Sequence, residues 1–373
     1  MKEKMENVRG LGMNIESILA AYRSPFEDFL QSYLEERVDD LTASHRIGRE
    51  VGDILKEFVG DYVTGGKRIR AALVAFGYGA AGGENDYRAF SLAASIELVH
   101  SFFLVHDDII DKSGVRRNRP TVHEEYRRIY KENGLPGESS EADHFSYSMG
   151  IIAGDVCETF AYDAILYSEL SPEKIVELLK VMHKIVKETA LGEILDIVAP
   201  LKAGITEQEI LDIYTFKTAK YTVEGPLHLG AIMGNAPDNI LKALSEYAIP
   251  IGIAFQIKDD ILGVFGTEEV LGKSITSDVA EGKQTLLTMK AFEKANLSQI
   301  QLLEQLVGNP DIDSAGLEKV REVIRECGAL QYSEEFVGTL IDRGKRALVD
   351  APIPDDIKSI LGSLADSLRD REY

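Results

Sequence analysis

The chain has 373 residues, 45% of them hydrophobic, and a formal net charge of −21 at pH 7. That is enough apolar material for a real core in one large domain or two ordinary ones. So acidic a surface repels nucleic acid and anionic lipid, which argues against both as partners, and it repels anionic small molecules unless local bases and metals reverse the field.

The N-terminus (MKEKMENVRG) lacks the apolar stretch of a secretory signal. No apolar run is expected to span a membrane, because Glu97, His100 and Lys258 interrupt the longest ones. Cys157 and Cys327 are the only cysteines, far apart and without metal-ligand spacing. They are expected to be core fillers in a reducing, cytoplasmic compartment.

Residues 1–45 read as an N-terminal helical extension and 46–373 as the main domain. Helix-period apolar spacing predicts amphipathic helices over Val51–Val63 and Leu92–Val105, then over 150–170, 173–198, 207–233, 238–263, 285–306, 315–330 and 332–348. Breaks fall at Gly65-Gly66, Gly82-Gly83, Asn133–Ser140, Pro200–Ile205, Ala236-Pro237, Gly263–Lys273 and Asn309-Pro310. The acidic stretch from Asn133 to Asp143 reads as an exposed loop or cap. No convincing series of alternating strands appears. The expectation is an all-α fold, a single large helical bundle around a deep central cavity.

Two acidic clusters stand out, HDDIID with Asp107, Asp108 and Asp111, and QIKDDILG with Asp259 and Asp260. Asp107 and Asp111 share a helix face at i,i+4, with His100 two turns below. Gln256 and Asp260 repeat that spacing. Carboxylates in apolar helices need a counter-charge, and oxygen-only ligands favour magnesium over zinc. Two such clusters facing each other would make a metal-bridged site for a strongly anionic ligand. Basic residues complete the pattern: Lys67, Arg68 and Arg70 in GGKRIR, Arg116-Arg117 in DKSGVRRNRPTVH, Lys217-Thr218 in YTFKTAKYT, and Lys273 and Lys283 beyond the second aspartates. Glycines beside Lys and Arg ahead of a helix bind anions well. The whole reads as magnesium plus diphosphate, with cations enough for two diphosphates.

GGKRIR, ELVHSFFLVHDDIID, RRNRPTVH, GIIAGD, FKTAKY and FQIKDDILG…GK…SD…EGKQT occur in the order seen in trans-isoprenyl diphosphate (polyprenyl) synthases. The resemblance covers about residues 50 to 350. It implies an isoprenoid-synthase fold and a magnesium-dependent head-to-tail condensation of isopentenyl diphosphate with an allylic diphosphate, giving a farnesyl or geranylgeranyl diphosphate. It further implies that Asp107, Asp108, Asp111, Asp259 and Asp260 hold magnesium, three ions per site, on the allylic diphosphate. Arg116, Lys217, Lys273 and Lys283 would complete that phosphate shell. Lys67, Arg70, His100 and Arg117 match the isopentenyl diphosphate site, and Thr218 and Gln256 match residues whose oxygens face the developing carbocation. By the same resemblance Phe102 and Phe103, one turn before the first aspartates, form the floor that limits product length, and the protein is a homodimer. Three departures stand out: Gly263 where many relatives carry a third aspartate, Ala71 in place of a proline, and Glu193 in place of a glutamine. The rival readings are a terpene cyclase of the same fold, which would not need GGKRIR, and a non-catalytic regulatory subunit, which should have lost its aspartates.

Overall fold

The structure is a computed structural model that describes residues 14–42, 63, 66–84, 87–132, 139–202, 204–267 and 275–369. The helix expected over Val51–Val63, except Val63 itself, lies outside the described residues, as do Gly65, Lys273 and 133–138 of the acidic loop. Among the described residues the fold is all-α apart from one two-stranded hairpin. The helices form two compact units, Met1–Met182 with Leu229–Ala236, and His183–His228 with Pro237–Tyr373.

The first unit begins with α1 (Ile15–Thr42), followed by α2 (Ile69–Ala80) and α3 (Arg88–Ile110). The short strands β1 (Val115–Arg116) and β2 (Arg119–Pro120) come next, then α4 (Val122–Glu132) and α5 (Ser139–Leu166). Helix α3 packs on α5 and α2. The N-terminal extension is part of this core. Tyr22, Phe26, Leu30, Leu34 and Val38 recur every fourth residue of α1, so they share one face, and all are buried. Phe26 and Tyr22 meet Phe90 of α3 with ring centroids 6.0 and 5.5 Å apart. The Tyr33 hydroxyl donates to the Phe160 carbonyl at 2.6 Å. Each such fully buried side chain contributes roughly 1.5–3 kcal/mol.

The hairpin is the one feature that alternation could not show, because each strand has two residues. Its turn residues, Arg117 (φ 53°) and Asn118 (φ 61°), are both left-handed. This is the backbone of a primed hairpin turn, which matches the twist of the strands.

In the second unit α6 (Pro172–Val198) leads through a short 3-10 turn into α7 (Glu207–Tyr214), a π-helical segment (Thr215–Glu224) and α8 (Gly225–Met233). α6 and α8 contribute residues to both units. What the sequence predicts as one helix over 207–233 is therefore three pieces. A π segment widens the turn by one residue without changing apolar spacing enough to be read. Helix α9 (Asp238–Phe265) is buried on most faces, which is why it reads as nearly continuous apolar sequence. It packs along the π segment and α14 (Ala329–Val349). Between them in sequence lie α10 (Ser277–Ala280), α11 (Leu286–Lys294), α12 (Leu297–Leu306) and α13 (Ser314–Glu326). The expected single helix over 285–306 is divided at Asn296, whose side chain accepts from the Ser298 and Gln299 amides and caps α12. α15 (Asp355–Arg369) closes the chain and accepts, at Leu361 O, a 2.8 Å hydrogen bond from the buried Tyr247 hydroxyl of α9.

Against the sequence expectation, α3 and α9 have the length and apolarity to cross a bilayer; 72% and 61% of their apolar windows are buried inside the protein. Core burial accounts for that composition.

Candidate active site

The first aspartates sit where α3 ends. Asp111 caps the helix, its amide donating to the Asp107 carbonyl at 2.8 Å. This is the negative end of the helix dipole, so three acids there are unfavourable without a cation. Asp108 is fully buried and already has one. Arg116 of β1 approaches its Oδ1 with Nε at 2.7 Å and a second guanidinium nitrogen at 2.6 Å. The same Arg116 lies 3.7 Å from Asp107 Oδ2. Arg116, expected to touch phosphate, thus also pairs with Asp108. Asp107, with 23% of its side chain exposed, and Asp111 are the more accessible carboxylates of this cluster.

The basic residues of this unit divide by environment. Arg68 is buried, and its backbone is left-handed at a φ of 52°. It donates to Glu97 at 3.1 Å and to the Val63 carbonyl at 2.7 Å, and Glu97 also accepts from the Ala71 amide at 3.1 Å. Arg68 and Glu97 therefore fasten the start of α2 to α3. Lys67 is exposed and Arg70 half-buried. His100 is held well below its ordinary pKa, first by burial and then by Arg70, Arg117, Arg116 and Arg68. The imidazole is neutral within a group of guanidiniums. Gly66, at φ +87°, lies against Arg117: a Cβ there would be 3.3 Å from its guanidinium. The fold thus gathers the GGKRIR turn, His100 and Arg117 into one cationic cluster.

In the second unit the π segment presents Lys217 and Thr218. Lys217 Nζ reaches Asp196 at 2.6 Å and Glu193 at 2.9 Å, both on α6. Two glycines make room for this segment. A Cβ on Gly192 would fall 2.2 Å from the Lys217 backbone nitrogen, and one on Gly252 would fall 2.4 Å from Ala219 Cα. The Thr218 hydroxyl donates to Gln256 Oε1 at 2.6 Å, and Gln256 Nε2 donates to Asp260 Oδ1 at 2.9 Å. Tyr214 donates to Asp260 Oδ2. Burial pushes the Asp260 carboxyl up to about 7 despite these two donors, and Asp278 and Asp259 push the same way. Gly263 sits against Asp278, whose Oδ2 is 1.8 Å from where a Cβ would stand. The carboxylate absent from position 263 has a neighbour from α10 in that space. Lys283 pairs with Glu281 at 3.0 Å.

These donors are all oxygens, and Asp259 and Asp278 lie close enough to Asp260 to push its carboxyl up, a grouping of carboxylates that fits a hard divalent cation. Among the described residues no three acids or histidines are gathered tightly enough to hold an ion alone. Magnesium is suited to such an arrangement, since it takes one or two carboxylates and completes its shell with water and substrate phosphates.

A family model described as Polyprenyl synthetase matches residues 52–326. The chain belongs to the polyprenyl synthetase family. It is 32% identical to the geranylgeranyl diphosphate synthase of Saccharolobus solfataricus over 78% of this chain and 82% of that protein. It is equally 32% identical to a short chain isoprenyl diphosphate synthase of Methanothermobacter thermautotrophicus, over 93% and 98% of the two chains. The crystal structure of Corynebacterium glutamicum geranylgeranyl pyrophosphate synthase, complexed with isoprenyl diphosphate and magnesium, superposes with a TM-score of 0.85 at 31% identity, covering 93% of this chain and 99% of that one. As a short-chain trans-isoprenyl diphosphate synthase, this polyprenyl synthetase is a prenyltransferase that condenses isopentenyl diphosphate with an allylic diphosphate.

The sequence assigns no role to Tyr214, Gly192, Gly252 or Glu97, and shows Asp278 only as the acid of the SD pair after the second aspartates. A tyrosine or glycine at helical spacing reads as ordinary packing. Glu97 carried a signal, a carboxylate in the apolar run SLAASIELV, but its partner Arg68 was grouped with the substrate-binding bases.

Proposed function

We propose that the synthase makes geranylgeranyl diphosphate in a magnesium-dependent reaction, with its substrate contacts divided between a carboxylate set and a metal-free cationic set. Asp107, Asp108 and Asp111 of the first motif, and Asp259 and Asp260 of the second, are the carboxylates for magnesium; three ions is the number the resemblance implies. Arg116, which holds Asp108, adds its charge to the shell of the allylic diphosphate. Bound magnesium would neutralise the diphosphate as it leaves, the charge stabilisation that makes ionisation of the allylic C–O bond accessible. Lys217 and Lys283, with Lys273 outside the described residues, supply further positive charge to that diphosphate. Lys217 is held ready by Glu193 and Asp196. Lys67, Arg70, His100 and Arg117 take the isopentenyl diphosphate. The hydrogen-bonded oxygens of Thr218 and Gln256 are offered to the developing carbocation, and the nucleophile is the alkene, so no side-chain base attacks.

The observation that carries this reading is the cationic cluster around His100, where Arg70, Arg117, Arg116 and Arg68 all act on the imidazole. A cyclase handling one diphosphate has no use for it. Purified protein with magnesium, isopentenyl diphosphate and an allylic diphosphate should release pyrophosphate and yield longer prenyl products; neither appearing would defeat the proposal.

Product length rests on α3. Phe102 stacks edge-on against His106 at 4.7 Å between centroids, and His106 Nε2 lies 3.0 Å from the Ile151 carbonyl. Phe102 also meets Phe103, ring centroids 4.8 Å apart, so the two aromatics one turn before Asp107 form the floor together. The Saccharolobus and Corynebacterium proteins carry the geranylgeranyl name, which supports twenty carbons. Phe102→Ala or Phe103→Ala should lengthen the product, by chromatography of the dephosphorylated prenyl alcohols; unchanged length in both would sink the floor.

A cytoplasmic, reducing location accords with the free thiols of Cys157 and Cys327. A homodimer accords with the exposed Leu191, Ile194 and Ile197 on α6. Light scattering of the purified protein tests the second.

A further inference from the structure

Tyr214 ends α7 with its side chain 4% exposed, and its hydroxyl meets two groups. One is Asp260 Oδ2 on α9. The other is the Leu286 amide at the first turn of α11, which donates to it at 2.8 Å. A backbone amide can only donate, so the tyrosine oxygen accepts there and its proton must point at Asp260. The Gln256 amide is oriented in the same way, since its oxygen takes the Thr218 hydroxyl and its nitrogen faces Asp260 Oδ1. Asp260 is thereby held at both oxygens, each of which keeps a lone pair for a cation.

The tie has a second end. Leu286 directly follows the turn that carries Lys283, and Thr285 caps α11 by accepting from the Thr288 amide at 3.1 Å. One hydroxyl therefore links the carboxylate of the second aspartate motif to the base of the lysine-bearing loop. Without it, Asp260 Oδ2 and the Leu286 N–H would each lose a partner in a buried place, which costs more than the bond itself is worth.

We propose that Tyr214 is a positioning residue of the prenyl transfer, fixing Asp260 for magnesium and anchoring the Lys283 loop to it. This rests on the reading of Asp260 as a magnesium ligand. Tyr214 makes no contact with substrate in this role; it acts through Asp260 and Leu286.

The test is calorimetric binding of magnesium with inorganic pyrophosphate, which involves no turnover. Tyr214→Phe keeps the ring and removes the hydroxyl. It should weaken binding at least about tenfold, the size of a lost hydrogen bond to a charged group, while KM for isopentenyl diphosphate stays unchanged. Asp260→Asn should weaken binding as well, and Tyr214→Phe should add nothing in the Asp260→Asn background. Thr285→Ala loosens the same helix start without touching the tyrosine; it should lower the melting temperature and leave binding intact.

Binding by Tyr214→Phe equal to wild type, with Asp260→Asn weakened, overturns the role of Tyr214 alone. Unchanged binding in both variants overturns the Asp260 reading and this proposal with it. If Tyr214→Phe is not folded at the assay temperature, 4-aminophenylalanine at position 214, which keeps the ring and sets an N–H donor where the hydroxyl stands, replaces it. That folded variant should bind within a few-fold of wild type, and a larger loss counts against the proposal.

Discussion

Replacing Gly192 by alanine sets helix propensity against packing, and the geometry decides which wins. In an exposed helix alanine would gain about 1 kcal/mol over glycine. Here the new Cβ would stand 2.2 Å from the Lys217 nitrogen and 2.6 Å from Lys217 Cα and Phe216 C, where ordinary contact begins at 3.4 Å. The deficit is 1.2 Å (3.4 minus 2.2), and the obstacle is backbone, which cannot rotate away. Overpacking of this kind costs about 1–3 kcal/mol, so the net change should be destabilising or close to zero, never the full gain of propensity. The larger effect is on chemistry. Moving the π segment by about 1 Å takes Lys217 from its partners on α6 and Thr218 from Gln256, and a misplacement of that size costs on the order of 100-fold in rate. Steady-state pyrophosphate release and scanning calorimetry measure the two effects. Gly192→Ala that melts higher than wild type and turns over at the wild-type rate would refute the close approach of α6 to the π segment.

Other outcomes follow from the same geometry. Asn118→Ala, at φ 61°, should cost about 1–2 kcal/mol and raise KM for isopentenyl diphosphate by disturbing the neighbouring Arg117, whereas Asn118→Gly should be close to neutral; thermal melts and kinetics report both. Glu97→Ala leaves buried Arg68 with Glu27, 3.5 Å from its Nε, as its remaining carboxylate and takes the acceptor from the Ala71 amide, and should cost about 1–3 kcal/mol in denaturant unfolding. His100 is neutral when folded because its pKa is lowered, so the unfolded chain binds the extra proton as pH falls below about 6.5. Its contribution to stability is present above that pH and is lost progressively below it. His100→Gln should flatten the slope of melting temperature against pH in the acid range.

The chemistry was legible in the sequence because it is written in charged residues at short spacings. HDDIID, GGKRIR and FKTAKY each put their groups on one helix turn or loop, and the structure keeps Arg70, His100 and Arg117 together and Thr218, Gln256 and Asp260 together. Helix identity was legible for the same local reason, through apolar spacing in α3, α6, α9 and α14. What escaped depends on contacts distant in the chain. That Arg68 belongs to Glu97 while Arg70 stays by His100 is decided by contacts with α3, not by residue type. That Arg116 serves Asp108 requires the hairpin, whose strands are too short to leave a pattern. The glutamate at 193, a departure from the family on sequence, becomes intelligible once Lys217 is seen between it and Asp196.

The placement of α1 separates two lengths that are easily equated. The family model spans residues 52–326, the stretch that carries the recognised motifs. The folding unit is longer, because Phe26 and Leu30 on one side of that stretch, and Leu361 on the other, are buried at 0%, 1% and 0% exposure. A chain trimmed to the matched stretch would keep both aspartate motifs and expose the apolar faces those residues cover. Such a chain is expected to aggregate before its chemistry can be assayed. Inactivity in it would report on solubility rather than on catalysis.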